Sequence, residues 1–160
     1  KDIHQYLKKH KILYCIDITN QDIKFFRNKI RHQLLPLLVK DFNPQIYESL
    51  ANVAEVSSAD YDFLEARATD LFRRVTKISA DGTTLRIPLT SLRRCHPAIQ
   101  RLLLRKAIER LQGNTRRLTF THMKEMEDLL AHRPDNSRVH LPQQMVAQKD
   151  KKNLRLSRTS

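Results

Sequence analysis

At 160 residues and 40% hydrophobic content the chain can fold as one domain or two small ones around a real core. Thirty Lys and Arg against 17 Asp and Glu leave a formal net charge of +13, which points to a polyanion partner, nucleic acid ahead of an anionic membrane surface. No apolar run approaches the roughly 18 residues of a membrane span, the polar start KDIHQYLKKHKI is no signal peptide, and two lone cysteines, Cys15 and Cys95, favour a reducing cytosol over a disulfide framework.

In chain order, residues 1–11 read as a short helix with Ile3 and Leu7 on one face. The run Ile12–Ile16 reads as a buried strand or an extended lead into a turn, Asp17-Ile18-Thr19-Asn20. A second helix follows, with Ile23, Phe26, Ile30, Leu34 and Leu37 as its apolar stripe. Asn20 or Thr19 can cap it, and Asp22 then falls in the first turn. Pro36 lacks an N–H and crowds the carbonyl of His32, so the helix is expected to kink or stop there.

Beside that stripe, Lys24, Arg27, Asn28, Arg31 and His32 recur at spacings of three and four. Arg27 and Arg31 stand one turn apart, a spacing at which two guanidinium groups can grip one phosphate or two neighbouring ones. By spacing alone a solvated basic face is the favoured reading, because charged helix faces are common.

Asp41-Phe42-Asn43-Pro44 is a break and restart, with Asn43 as N-cap and Pro44 in the first helical position. From there to Val75 a pattern with steps of three or four runs through Ile46, Leu50, Val53, Ser57, Tyr61, Leu64, Ala68 and Leu71. It predicts one helix of roughly 45–50 Å at 1.5 Å per residue, bent at Ser57-Ser58 if anywhere and packed inside a helical bundle. Asp81-Gly82, between Ile78 and Leu85, is a hairpin signal. Thr90 or Ser91 then caps a one-turn helix, and Pro97 opens a helix that buries Ile99, Leu103, Ala107 or Ile108, and Leu111 before Gly113 ends it.

Residues 1–80 hold 13 basic and 10 acidic side chains, residues 81–160 hold 17 and 7, and 12 of those 17 are Arg, which suits bidentate phosphate recognition. Arg94, Arg101, Arg105, Arg116 and Arg117 are the phosphate-contact candidates, with Glu109 able to pair with Arg105; a solvated helix face fits them as well. The next helix starts at Thr119 or Thr121 and runs to Ala131, with Met123, Met126, Leu129 and Leu130 inward as core filler. Val139, Leu141, Met145 to Ala147, Leu154 and Leu156 predict two or three short strands, and residues 158–160 a frayed end. The expected fold is mainly α: a helical bundle around one long helix, with a β-hairpin and a small C-terminal antiparallel sheet.

Three pieces in the first forty residues carry a resemblance: the turn Asp17-Ile18-Thr19-Asn20, then Arg27-Asn28-Lys29-Ile30-Arg31 with His32, then Leu35-Pro36. Together they resemble the segment that closes the ATP-binding domain of the bacterial tRNA(Ile)-lysidine synthetases of the PP-loop ATPase superfamily. Leu89 to Arg105, Leu118 to His122 and Leu141-Pro142 follow in the order of that family's substrate-binding domain. The resemblance implies residues 1–40 as the edge of a catalytic domain with its linker, and 41–160 as a helical tRNA-binding domain. It implies a cytoplasmic parent enzyme that adenylates the wobble cytidine of a CAU-anticodon tRNA(Ile) with ATP and Mg, then admits L-lysine as AMP leaves.

Under that resemblance Arg27, Asn28, Arg31 and His32 face the adenylation site or the anticodon-loop backbone. Asp17, Thr19 and Asn20 shape the turn that positions them, and Lys24 joins Arg94, Arg101, Arg105, Arg116 and Arg117 as an RNA contact. The family's Ser-Gly-Gly-x-Asp-Ser nucleotide loop is not in the chain, whose two glycines are Gly82 and Gly113. The chain also lacks an initiating Met, so a piece of a longer protein, not catalytic or ATP-binding by itself, is expected. No metal site is expected at Cys95-His96, and oligomeric state is left open. Two other readings stand beside this one: another PP-loop enzyme such as a tRNA thiolase, or a non-enzymatic basic helical RNA-binding module.

Overall fold

A computed structural model describes residues 2–12, 19 and 22–158, and the chain divides into two compact units, Lys1–Val56 and Ser57–Ser160. Asp17, Asn20, Cys15, most of the expected 12–16 strand and the last two residues lie outside the described residues.

In the first unit, helix α1 (Asp2–Lys9) ends as Ile12 N–H bonds the Leu7 carbonyl at 3.0 Å and Lys11 turns left-handed at φ 51°. The second helix begins later than its pattern predicts, at Phe26 rather than after Asn20. Asp22 makes the difference: its Oδ1 accepts from Lys24 N–H at 2.9 Å, and its carbonyl accepts from Phe25 N–H at 3.2 Å. A short acid that bonds its own following backbone favours a turn over a helix's first turn. Helix α2 (Phe26–Lys29) then passes into a π-helical turn over Ile30–Leu34 and on into α3 (Leu35–Asp41).

That π turn is how the chain accommodates Pro36. Leu35 N–H bonds the Ile30 carbonyl, five residues back, so the ladder widens by one residue immediately before the ring that lacks a donor. The helix neither stops nor needs a break; it changes period and resumes.

Asn43 Oδ1 accepts from Gln45 N–H at 2.9 Å, and α4 (Ile46–Val75) begins at Ile46, two residues past Pro44, which the sequence placed in the first helical position. The helix is continuous through Ser57-Ser58, and the boundary between the two units falls within it. The expected buried stripe holds only toward its C-terminal end. There Ala68 is fully buried, and Leu71, Phe72 and Val75 pack on the core. Leu50 and Val53 are 49% and 63% exposed.

The core of the second unit lies between helices and one sheet. Strands β1 (Lys77–Ile78), β2 (Thr84–Pro88), β3 (Arg138–Leu141), β4 (Met145–Lys149) and β5 (Asn153–Arg158) form a single antiparallel sheet in the order β1-β2-β5-β4-β3. The Asp81-Gly82 hairpin and the C-terminal strands, expected as separate pieces, are thus joined, because β5 pairs with β2 at Leu85↔Leu156 and Ile87↔Leu154. Alternation sends Leu85, Ile87, Val139, Leu141, Met145, Ala147, Leu154 and Leu156 to one buried face. Helices α5 (Leu89–Arg93), α6 (Pro97–Gln112) and α7 (Phe120–Ala131) contribute to the same core, with Leu103, Leu104, Ala107 and Ile108 from α6 and Met123, Met126, Leu129 and Leu130 from α7.

Thr90 and Ser91, expected to cap α5, lie inside it behind Pro88 as N-cap, because Pro88 already ends the strand in an extended conformation; the ends of α6 and the start of α7 match their sequence signals. His96 caps α6, its Nδ1 accepting from Ala98 N–H at 3.2 Å, with Pro97 in the first turn. Gly113 ends it in the left-handed region at φ 81°, its N–H on the Glu109 carbonyl at 2.7 Å. Thr119 and His122 form a reciprocal cap on α7: Thr119 N–H donates to His122 Nδ1 at 3.0 Å and His122 N–H to Thr119 Oγ1 at 3.4 Å.

Candidate nucleic-acid interface

Of the residues expected on the basic face of the first unit, Arg27, Arg31 and His32 are exposed on consecutive turns of α2 and the π turn. Arg27 rests over the Phe25 ring, its guanidinium carbon 5.5 Å from the centroid. Lys24 is exposed but lies in the turn ahead of the helix. Asn28 departs from expectation: it is 2% exposed and turned inward. Its Nδ2 donates to the carbonyls of Thr19 at 2.8 Å and Asp22 at 2.9 Å. A side chain so placed fastens the turn to the helix. Thr19 serves the same junction through its carbonyl, which also accepts from Asp22 N–H at 3.1 Å.

In the second unit the structure brings Arg101 and Arg105 to one cleft of about 340 Å³, with Tyr61, Leu64 and Phe120 among its walls. Both arginines project from α6 one turn apart. Phe120 is 68% exposed at the start of α7, with Lys124 Nζ 5.5 Å from its ring centre. Exposed aromatic faces beside guanidinium groups suit a stacked base and its phosphate. Tyr61 and Phe120 are the residues that sequence reasoning missed as site components. Their signal was an aromatic at an exposed helix position, visible only once α4, α6 and α7 are placed.

The internal compensation expected for Arg105 falls instead on Arg101. Arg101 Nε bonds Glu127 Oε1, while Glu127 Oε2 also takes Lys124 Nζ at 2.9 Å. The Arg101 hydrogen bond and then that of Lys124 hold the Glu127 carboxyl below its ordinary range. No ion pair links Glu109 to Arg105, which is exposed. Arg94, Arg116 and Arg117 are exposed outside the cleft, Arg117 in a left-handed conformation at φ 66°.

Neither glycine lies in a phosphate-cradling loop, and no group of three or more His, Cys, Asp or Glu among the described residues has metal-binding geometry. Cys95 donates to the Ser91 carbonyl at 3.0 Å, and burial pushes its thiol pKa up, away from the thiolate a nucleophile needs. No described helix is long and apolar enough to cross a membrane.

Two family models match the chain, a PP-loop domain over residues 1–38 and the TilS substrate binding domain over residues 87–158. The chain is similar to the tRNA(Ile)-lysidine synthases over most of its length. It is 30% identical over 96% of its length to the tRNA(Ile)-lysidine synthase of Caldanaerobacter subterraneus subsp. tengcongensis, covering 32% of that protein. It is similarly 30% identical over 91% of its length to the synthase of Geobacter sulfurreducens and 33% identical over 88% to that of Solibacter usitatus, covering 31% and 32% of them. The chain thus spans about a third of the length of these curated relatives. The cleft and the five-stranded sheet lie largely in the stretch matched to the substrate-binding domain, and Arg27, Arg31 and His32 in the stretch matched to the PP-loop domain.

Proposed function

We propose that this chain is the tRNA-recognition part of a tRNA(Ile)-lysidine synthase, together with the closing edge of its ATP-binding domain, divided near residue 40. The observation that carries the reading is the cleft of Arg101, Arg105, Tyr61 and Phe120 within the unit bearing the match to the substrate-binding domain. Its aromatic walls and basic rim recognise the chemistry of an RNA nucleotide.

The parent enzyme, in this reading, is a cytoplasmic ligase. ATP adenylates the C2 oxygen of the wobble cytidine of CAU-anticodon tRNA(Ile) with loss of pyrophosphate. The lysine amine then attacks C2, and the C–O bond breaks as AMP leaves. ATP, Mg and L-lysine are assigned to parts of the enzyme outside this chain. Arg27, Arg31 and His32 face the adenylation site or the anticodon-loop backbone, where fixed cations offset phosphate charge. Asn28 with the turn around Thr19 sets their position. Lys24, Arg94, Arg105, Arg116 and Arg117 contact tRNA phosphates, and Arg101 shapes the cleft through Glu127.

The test is binding of labelled CAU-anticodon tRNA(Ile) against an unrelated tRNA across a salt series, with Phe120→Ala and Arg105→Ala beside the parent protein. Preference for the cognate tRNA, weakened by roughly 1–3 kcal/mol on loss of the Phe120 ring, is the expected result. Equal binding of both tRNAs that neither substitution alters rejects the reading.

A further inference from the structure

The outer face of the sheet carries a feature that neither the cleft nor the helix arginines account for. Strand register places Lys77 opposite Arg86, Arg86 opposite Arg155, Arg155 opposite Gln148, and Gln148 opposite Arg138. Directly opposed residues share a face, and the buried neighbours of Arg86, Arg155 and Arg138 fix that face as the one turned away from the core. One row therefore crosses all five strands, with four cations and one amide and no acid in it. At about 4.8 Å per strand the row is roughly 19 Å long.

The arrangement works against the sheet's own stability, since like charges directly opposed across a ladder repel. None of Lys77, Arg86, Arg138 or Arg155 makes an ion pair with a described residue. The acid nearest in effect is Asp150, yet its Oδ1 is turned to the N–H groups of Lys152 and Asn153, both at 2.7 Å. Beside the row, Lys77, Ile78, Ser79, Thr84, Arg86 and Arg155 enclose a shallow concavity of about 320 Å³. All four cations are exposed.

We infer that this row is a second RNA-binding surface, a track for the phosphodiester backbone of tRNA, distinct from the cleft on the helical side. The inference rests on the tRNA reading above and adds to it the sheet face as a contact. Successive phosphates lie a few ångströms apart along a strand, close to the spacing of neighbouring strands, so a backbone laid along the row meets a cation or an amide at each step. The amide of Gln148 interrupts the positive charges and supplies a hydrogen-bond donor between Arg155 and Arg138. Recognition of this kind positions the RNA and reads no base.

The test measures tRNA affinity against salt for the protein, for Arg86→Gln/Arg155→Gln, and for Arg105→Gln in the cleft. Because the double substitution relieves repulsion, the fold should survive, with an unchanged or raised melting temperature as control. Loss of two phosphate contacts should weaken binding roughly ten- to thirtyfold near physiological salt and flatten the log–log salt slope by about 1.5. Arg138→Gln, at the opposite end of the row from Lys77, should flatten it by about half as much. An unchanged slope in these variants, with Arg105→Gln still weakening binding, overturns the sheet-face track while the tRNA reading stands. Absence of any tRNA binding by the unsubstituted protein overturns both. Loss of binding to phosphatidylserine vesicles in the double variant, with tRNA binding intact, overturns the track in favour of a lipid surface.

Discussion

Arg27 and Asn28 are adjacent in sequence and opposite in environment: one guanidinium stands in solvent over Phe25, the other side chain is buried with both donors spent on backbone carbonyls. Substitution should separate them. Asn28→Ala removes two buried hydrogen bonds and should cost about 2 kcal/mol of stability, seen as a lowered unfolding midpoint. Arg27→Ala with Arg31→Ala in the intact enzyme should abolish lysidine formation and leave that midpoint within about 0.5 kcal/mol of the parent. Unchanged turnover would remove the arginines from the site, and an unchanged midpoint for Asn28→Ala would remove the turn's fastening. Spacing put these two residues on one face because it assumed an α-helix from Asn20 onward. The turn through Thr19 and Asp22 folds back over the helix at Asn28 and takes both of its donors, burying that part of the face.

Among the elements, the β1–β2 hairpin is tied by a carboxylate. Asp81 accepts from Ser79 Oγ, from Thr83 Oγ1 at 2.7 Å and from Thr83 N–H at 3.1 Å, and these bonds lower its pKa from 3.8 to about 2. A depressed folded-state pKa means the contribution is complete above the unfolded value and is lost as pH falls from about 4 toward about 2. The melting temperature of the parent should therefore drop more over that interval than that of Asp81→Asn, measured side by side. Equal drops would mean that Glu127, Asp128 and Asp150, whose carboxyls are also held low, carry the whole acid response. The hairpin, the His96-Pro97 start, the Gly113 stop and the α7 cap were legible because each is written in two to four adjacent residues. The π turn, the joining of hairpin to terminal strands, the Arg101–Glu127 pair and the buried Lys149, bonded to the Arg133 carbonyl, were not. Each of those depends on partners far along the chain or on how a local conflict such as Pro36 is resolved. The cleft follows the same division: Arg101 and Arg105 could be nominated from composition, whereas Tyr61 and Phe120 became candidates through packing.

Across the whole molecule, support is uneven. Helix α4 is exposed on every side from Tyr47 to Phe63, including Leu50, Val53, Val56 and Phe63, and an isolated helical stretch holds poorly in water. By contrast Leu103, Leu104 and Ile108 of α6 are fully buried over the sheet. Hydrogen exchange on this chain should find amides from Leu50 to Val56 exchanging at least a hundredfold faster than those from Leu104 to Ile108. Equal protection would mean that the middle of α4 has a cover that the described contacts lack.

The order of strands in the sheet sets a schedule for folding. Strand β5 lies between β2 and β4, and its pairing Leu85↔Leu156 closes a loop of about 70 residues. During synthesis, β2 emerges early and waits with an open edge while α5, α6, α7, β3 and β4 are made, a topology of high contact order. Until β5 arrives, the hairpin β1–β2 and the hairpin β3–β4 cannot share a sheet. The nascent chain therefore exposes two unpaired strand edges to its neighbours, and the ribosome's pace past residue 153 decides how long that hazard lasts.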